Sequence, residues 1–257
     1  MKQKITDGPS GHWFWGNLRE FVDTPLSFLQ ELAQHGDLTH TKFGPFHGYL
    51  VNDPDLIRSL LIEHSQHVNK SRTIKVSMED VIGANIFTGD GDFWKQQRKL
   101  MQPAFHSKRV GAYADAMVTQ TEREVAGWRD GAALDIDRVM TDITMNIITM
   151  TMFDAEVGPE SRRIGELFAE MFRVIDARMQ RLFTSPHWLP TRENRHIHAV
   201  VAELEQFLQT IIDERRITDQ DRGDLLSMLL LSTYDDGSRM SDQQIMYEAM
   251  TIFGAGH

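Results

Sequence analysis

Cysteine is absent from all 257 residues, which removes disulfides, zinc–thiolate sites and thiol nucleophiles from this chain. No apolar run reaches the roughly 18 residues that a membrane span needs, and the N-terminal stretch "MKQKITDGPSGHWFWGN" lacks the apolar centre of a signal peptide. A cytoplasmic location without a membrane span is therefore the expectation. Basic residues are in deficit: 27 Lys and Arg stand against 37 Asp and Glu, a net charge of −10. Nonspecific nucleic-acid binding needs a cationic surplus on at least one face, so nucleic acid is not expected as a partner. There is no glycine-rich phosphate loop, no G-x-S-x-G nucleophile elbow, no internal repeat and no low-complexity linker. His64 with His67, and His196 with His198, lack a third ligand at metalloenzyme spacing and read as solvated or locally bonded imidazoles.

The composition that remains, 41% hydrophobic and 25% charged, is that of a globular domain. "TPLSFLQELAQHG" reads as a helix, with Pro25 in its first turn and Gly36 at its end. "DLTHTKFGPFHGYLVNDP" reads as a hairpin turning near Gly44, Pro45 and Gly48, and Asp53–Pro54 opens another helix. From about Gly91 onward the apolar spacing is helical nearly throughout, with short connections carrying Pro or Gly. "RVMTDITMNIITMTMF" is apolar on several faces, as in a helix inside a bundle, where methionine fills core space. The expected fold class is mainly α with a small N-terminal β-hairpin or sheet, as a single domain over residues 1–257.

The final stretch, "MSDQQIMYEAMTIFGAGH", has a specified beginning. Ser241 and Gln244 have the spacing of a capping box, in which each side chain accepts or donates at the other's backbone. Ile245, Ala249, Ile252 and Phe253 then share one face. Its end carries no closing signal beyond Gly254 and Gly256.

The stretch richest in chemistry is "NIFTGDGDFWKQQRKLMQPAFH". Trp94 and Arg98 lie four apart on one helical face, so an indole N–H and a guanidinium point the same way and suit an anion. From spacing alone, an amphipathic helix with a packed Trp and a solvated Arg is the simpler reading. Lys95, Arg98, Lys99, Lys108 and Arg109 form a basic cluster, either a solvated face or a dock for an acidic partner.

"GDGDFWKQQRKLMQPAF" resembles the C-helix signature of cytochromes P450, and "DLLSMLLLSTYDDGSRMSDQQIMYEAMTIFGAGH" resembles the approach to that family's central I-helix. The N-terminal "GPSGHWFWGN", the first helix, the hairpin and "NDPDLIRSLL" are similar to its N-terminal region, in the same order. The resemblance implies an incomplete cytochrome P450 fold, of the soluble bacterial type, truncated within the I-helix. It implies that Trp94 and Arg98 hold a haem propionate, that Ile86 and Phe87 line the substrate pocket, and that Phe253 adds to it. Ala255, Gly256 and His257 match the start of the "A-G-x-[ED]-T" motif, whose small residues pass over the porphyrin and whose variable position is His257.

The activity implied for the full-length parent is a haem-dependent monooxygenase inserting one oxygen atom from O2 into an apolar organic substrate. Its electrons would come from an acidic ferredoxin, flavodoxin or reductase docked on Lys95, Lys99, Lys108 and Arg109. The family's proximal Cys and E-x-x-R helix follow the I-helix, and its acid and threonine follow His257. The chain therefore holds no axial metal ligand and no catalytic residue of the motif, and is expected to be inactive and to bind haem poorly by itself. Ile252 and Phe253, stripped of neighbours, are expected to face water and promote association. The alternative is a non-catalytic helical interaction module retaining the P450 N-terminal fold. Substrate identity rests on Ile86, Phe87, the region from Phe168 to Phe183, and further loops.

Overall fold

A computed structural model describes residues 4–154, 161–179, 185–218 and 221–256. His257 and Phe183 lie outside the described residues, as does the side chain of Lys108. The residues gather into two compact units, Met1–Asn69 and Lys70–His257.

The first unit is built on the hairpin. Strands β2 (Leu38–Phe43) and β3 (Phe46–Val51) pair antiparallel, with Phe43 opposite Phe46. The two-residue turn between them begins at Gly44, whose φ of 58° suits a glycine-first hairpin turn. Gly48 lies within β3 and not in the turn. A strand that the sequence did not announce, β1 (Thr6–Asp7), pairs parallel to β2 and completes a three-stranded sheet. Helices α1 (Leu18–Asp23) and α2 (Pro25–Gln34) supply Phe21, Phe28 and Leu32 to a small core with Phe43. Thr39 is buried against α2, and its hydroxyl donates to the carbonyls of Leu32 and Gly36, so its burial leaves no orphan donor. Helix α3 (Pro54–Arg58) starts as expected: Pro54 occupies the first turn and Asp53 Oδ1 accepts from the Leu56 amide at 2.8 Å. It then runs into a π-helical turn over Ser59–Glu63.

Among its described residues, the regular structure of the second unit is helical apart from one isolated bridge: α4 (Arg72–Ile82), α5 (Gly91–Met101), α6 (Ser107–Val125), α7 (Ile136–Phe153), α8 (Ser161–Met179), α9 (Arg192–Thr218), α10 (Leu225–Leu231) and α11 (Asp242–Ala255). Helix α7 runs through its middle as the sequence implied. Met145 and Met152 fill core space, and the buried hydroxyls of Thr149 and Thr151 donate back to the carbonyls four residues earlier, of Met145 and Ile147. Arg215 of α9 is buried. It donates to both oxygens of Asp224, the N-cap of α10, to Ser227 Oγ, and to the Phe153 carbonyl at the end of α7.

Two expectations for α11 are corrected. Ser241 does accept from the Gln244 amide, at 3.2 Å, but Gln244 does not return to the Ser241 backbone. Its side-chain amide donates instead to the Ala84 carbonyl and to Glu248 Oε1, both at 2.9 Å, which holds it on the loop side of the helix. Phe253 does not face water. It is 0% exposed, stacked on Phe168 of α8 at 5.4 Å and flanked by Phe153 of α7 and Phe207 of α9, while Ile252 is partly buried on the same cluster. Helices α7 to α9 lie within this chain and cover that face. Burial of a side chain of this size contributes about 1.5–3 kcal/mol.

Candidate functional site

The loop Gly83–Asp90 between α4 and α5 is organised around one side chain. Asn85 is fully buried. Its Oδ1 accepts from the amides of Phe87 and Thr88, its Nδ2 donates to the Gly83 carbonyl, and its own amide donates to Thr88 Oγ1. Backbone bonds from Thr88 and Gly89 to the Asn85 carbonyl close the turn. Asn is suited to such local side-chain-to-backbone closure. Ile86 packs partly against the core, whereas the Phe87 ring projects and is 51% exposed.

The loop is held through both backbone polar groups of Ile86, its N–H and its C=O. Lys70 Nζ donates to the carbonyls of Ile86 and Gly89, at 2.9 and 2.7 Å. Glu248 of α11 accepts the Ile86 amide at Oε2, at 2.9 Å, while its Oε1 accepts from Gln244 at 2.9 Å. Burial pushes the Glu248 carboxyl up to about 7, against the pull of these donors and of the Lys70 charge. Burial also lowers the Lys70 ammonium, which Asp90 partly offsets. Asp90 is held below the usual carboxylate range by the Lys75 ammonium, with which it pairs at 2.5 Å.

On α5, Trp94 and Arg98 meet as their spacing implied: the guanidinium carbon lies 5.1 Å from the indole centroid, and Lys70 Nζ lies 5.9 Å from the same ring. Arg98 is exposed and has no carboxylate or hydrogen-bond partner among the described residues. A guanidinium oriented by an indole and lacking an acid is suited to a carboxylate or phosphate arriving from outside.

Lys95, Lys99 and Arg109 of the basic cluster are engaged within the chain. Lys95 pairs with Asp92 at 3.1 Å, Lys99 pairs with Asp235 at 2.6 Å, and Arg109 donates to the Gly223 carbonyl. The two ion pairs are exposed and contribute little, about 0–1 kcal/mol each, so they do not hold these lysines from another acid. Lys99, Gln102, Pro103, His106 and Arg109 line a groove of about 470 Å³.

At the end of α11, Ala255 and Gly256 are exposed. A Cβ on Gly256 would fall 2.5 Å from Ile148 Cδ1, and one on Gly254 would fall 2.8 Å from the Phe172 ring. The glycines there are thus required by the approach of α7 and α8. Ile86 is tied to α11 through Glu248, and Trp94 is tied to Arg98. No hydrogen bond or ion pair among the described residues joins Arg98 to Ala255 or Gly256. Phe253, read as pocket, is core. His196 is locally bonded to Glu170 at 2.8 Å, and no three His, Asp or Glu gather as a metal site among the described residues.

Sequence reasoning passed over Glu248, Lys70 and Asn85. Glu248 did carry a signal, being a charged residue three after Ile245 and one before Ala249 on an otherwise apolar face. Lys70 and Asn85 carried none, since their partners are set by how the loop closes.

The profile of the family described as Cytochrome P450 matches residues 7–257. Similar curated proteins include cyclooctatin synthase of Streptomyces melanosporofaciens, 29% identical over 98% of this chain and 55% of that protein. Cyclooctat-9-en-7-ol 5-monooxygenase of the same organism is 30% identical over 90% of this chain and 50% of that protein. Pentalenene oxygenase of Streptomyces avermitilis is 29% identical over 94% and 54%. The chain thus spans about half the length of these relatives. Among solved structures, retinoic acid bound cyanobacterial CYP120A1 superposes with a TM-score of 0.74 at 16% identity, over 100% of this chain and 57% of that one. No helix among the described residues is long and apolar enough to cross a membrane.

Proposed function

Because the chain belongs to the cytochrome P450 family, we propose that it forms the distal part of a haem-dependent monooxygenase that inserts one oxygen atom from O2 into an apolar organic substrate. The observation that carries this reading is the Arg98 guanidinium, stacked on Trp94 and without an acid among the described residues, within the stretch that resembles the family's propionate-binding C-helix. When bound, haem supplies the iron at which O2 is activated. Within this chain Arg98 neutralises a propionate and Trp94 donates an indole N–H to it. Ala255 and Gly256 leave space beside the porphyrin, and Ile86 and Phe87 offer the apolar surface that a substrate pocket needs. The relatives named for pentalenene and cyclooctat-9-en-7-ol support an alicyclic, terpene-like substrate. Lys95, Lys99, Lys108 and Arg109 form the docking face for an acidic ferredoxin, flavodoxin or reductase.

The chain has no cysteine, so the axial thiolate of the whole enzyme comes from residues other than these 257. The test is carbon monoxide difference spectroscopy on the product of the reading frame that carries this chain through its continuation past codon 257. A thiolate-type Soret band is expected, and Arg98→Ala should lower haem affinity by about tenfold to a hundredfold, the value of a charge-assisted hydrogen bond. A product that takes up no haem would overturn the reading. The 257-residue chain alone should give no such band.

A further inference from the structure

Glu248 is a fully buried carboxyl that the oxygenation reading does not use. Removing a carboxylate from water is costly, and an amide side chain could accept the Ile86 N–H without that cost. The Ile86 backbone is gripped on both sides, its N–H by Glu248 and its C=O by Lys70. Gln244, one turn before Glu248 on α11, binds both Glu248 and the Ala84 carbonyl, so α11 holds the loop at Ala84 as well as at Ile86. The contact closes a separation of 162 residues, and it lies on the helix whose last turn carries Ala255 and Gly256.

We propose that Glu248 is a positioning residue that fixes the Ile86–Phe87 segment against α11, and thereby sets the spacing between the apolar pocket wall and the Ala255–Gly256 end of that helix. The functional half of this statement rests on the pocket role given to Ile86 and Phe87 above. Glu248 touches no substrate in this scheme. It determines which substrate shapes fit by determining where Ile86 and Phe87 stand.

The carboxylate is also what makes the grip conditional. Both of its oxygens meet donors, an arrangement that suits the ionised form, yet burial favours the neutral one. Lys70, across the loop, is the charged group that acts on it, and on α11 the uncharged Gln244 faces it. With the loop closed, Glu248 titrates at about 7, and with the loop open and the carboxyl in water it returns toward the ordinary 4.5. The closed loop therefore binds the proton more tightly. Closure is firmest below the open-state value, weakens as pH rises through the window between the two, and levels off above about 7.

The experiment uses the 257-residue chain with isoleucine labelled at its amide nitrogen and δ1-methyl, the Ile86 signals being assigned by their loss in Ile86→Val. The Ile86 amide and methyl shifts should titrate together with a midpoint near 7. Exchange protection of the amide, corrected for intrinsic base catalysis, should fall by about tenfold or more between about pH 5 and pH 8. In Glu248→Gln both signals should lose the titration while the amide stays protected, with circular dichroism confirming the fold. If that variant does not fold, the wild-type titration decides alone. An Ile86 amide indifferent to pH, a titration that persists in Glu248→Gln, or an amide that titrates while the methyl stays fixed would each overturn the proposal. Neither haem nor substrate enters the readout, so a failure of the monooxygenase reading leaves this result standing, and the reverse.

Discussion

Single residues decide how the Gly83–Asp90 loop leaves α4. Gly83 caps that helix at φ 67°, and a Cβ there would fall 2.1 Å from the Tyr247 ring of α11. Backbone conformation and space thus both demand glycine. Gly83→Ala should cost about 1–3 kcal/mol and lower the urea midpoint without changing its slope. A loss below the error of the melt would show that Tyr247 moves aside freely. The Trp94–Arg98 pair was legible from spacing because both residues sit on one helix. The Glu248–Ile86 bond was not, because its partners lie 162 residues apart and meet only through tertiary closure.

Among the elements, the helix starts separate two kinds of cap. Ser241 is exposed and serves only the α11 terminus, through the Gln244 amide. Asp224 is buried, accepts from the Ser227 amide to cap α10, and also receives Arg215. Ser241→Ala should cost about 1 kcal/mol, as for an ordinary N-cap. Asp224→Ala should cost more, about 2–4 kcal/mol, because it removes the cap of α10 together with the two buried charge-assisted bonds that Arg215 donates to its carboxylate. Denaturant melts of the two variants measure the contrast, and equal losses would show that the bonds from Arg215 to Asp224 add nothing beyond the cap. Caps and apolar period made α2, α3, α5, α7 and α11 readable in advance. The two-residue β1 was hidden because a strand so short has no alternation, and the burial of Phe253 was missed because the expectation weighed the absent later elements and the covering rings come from α7, α8 and α9, far away in sequence.

At the scale of the whole molecule, the two units differ in how much core they own. Among the described residues of Met1–Asn69, Phe28 and Leu32 are the only buried apolar side chains, whereas Lys70–His257 buries a continuous cluster drawn from α4 to α11. Resistance to opening follows buried contact, so the core amides of the second unit should exchange on the order of a hundredfold or more slowly than those of β2 and β3. Uniform exchange would show that the units open as one. The aromatic cluster at the heart of the second unit has a spectroscopic consequence of its own. Its rings at 153, 168, 207 and 253 are all phenylalanine, while Trp13, Trp15, Trp128 and Trp188 are exposed and Trp94 is only partly covered. The intrinsic emission of this protein therefore comes from its periphery, and the indole best placed to change its signal is the one stacked beneath an unclaimed guanidinium.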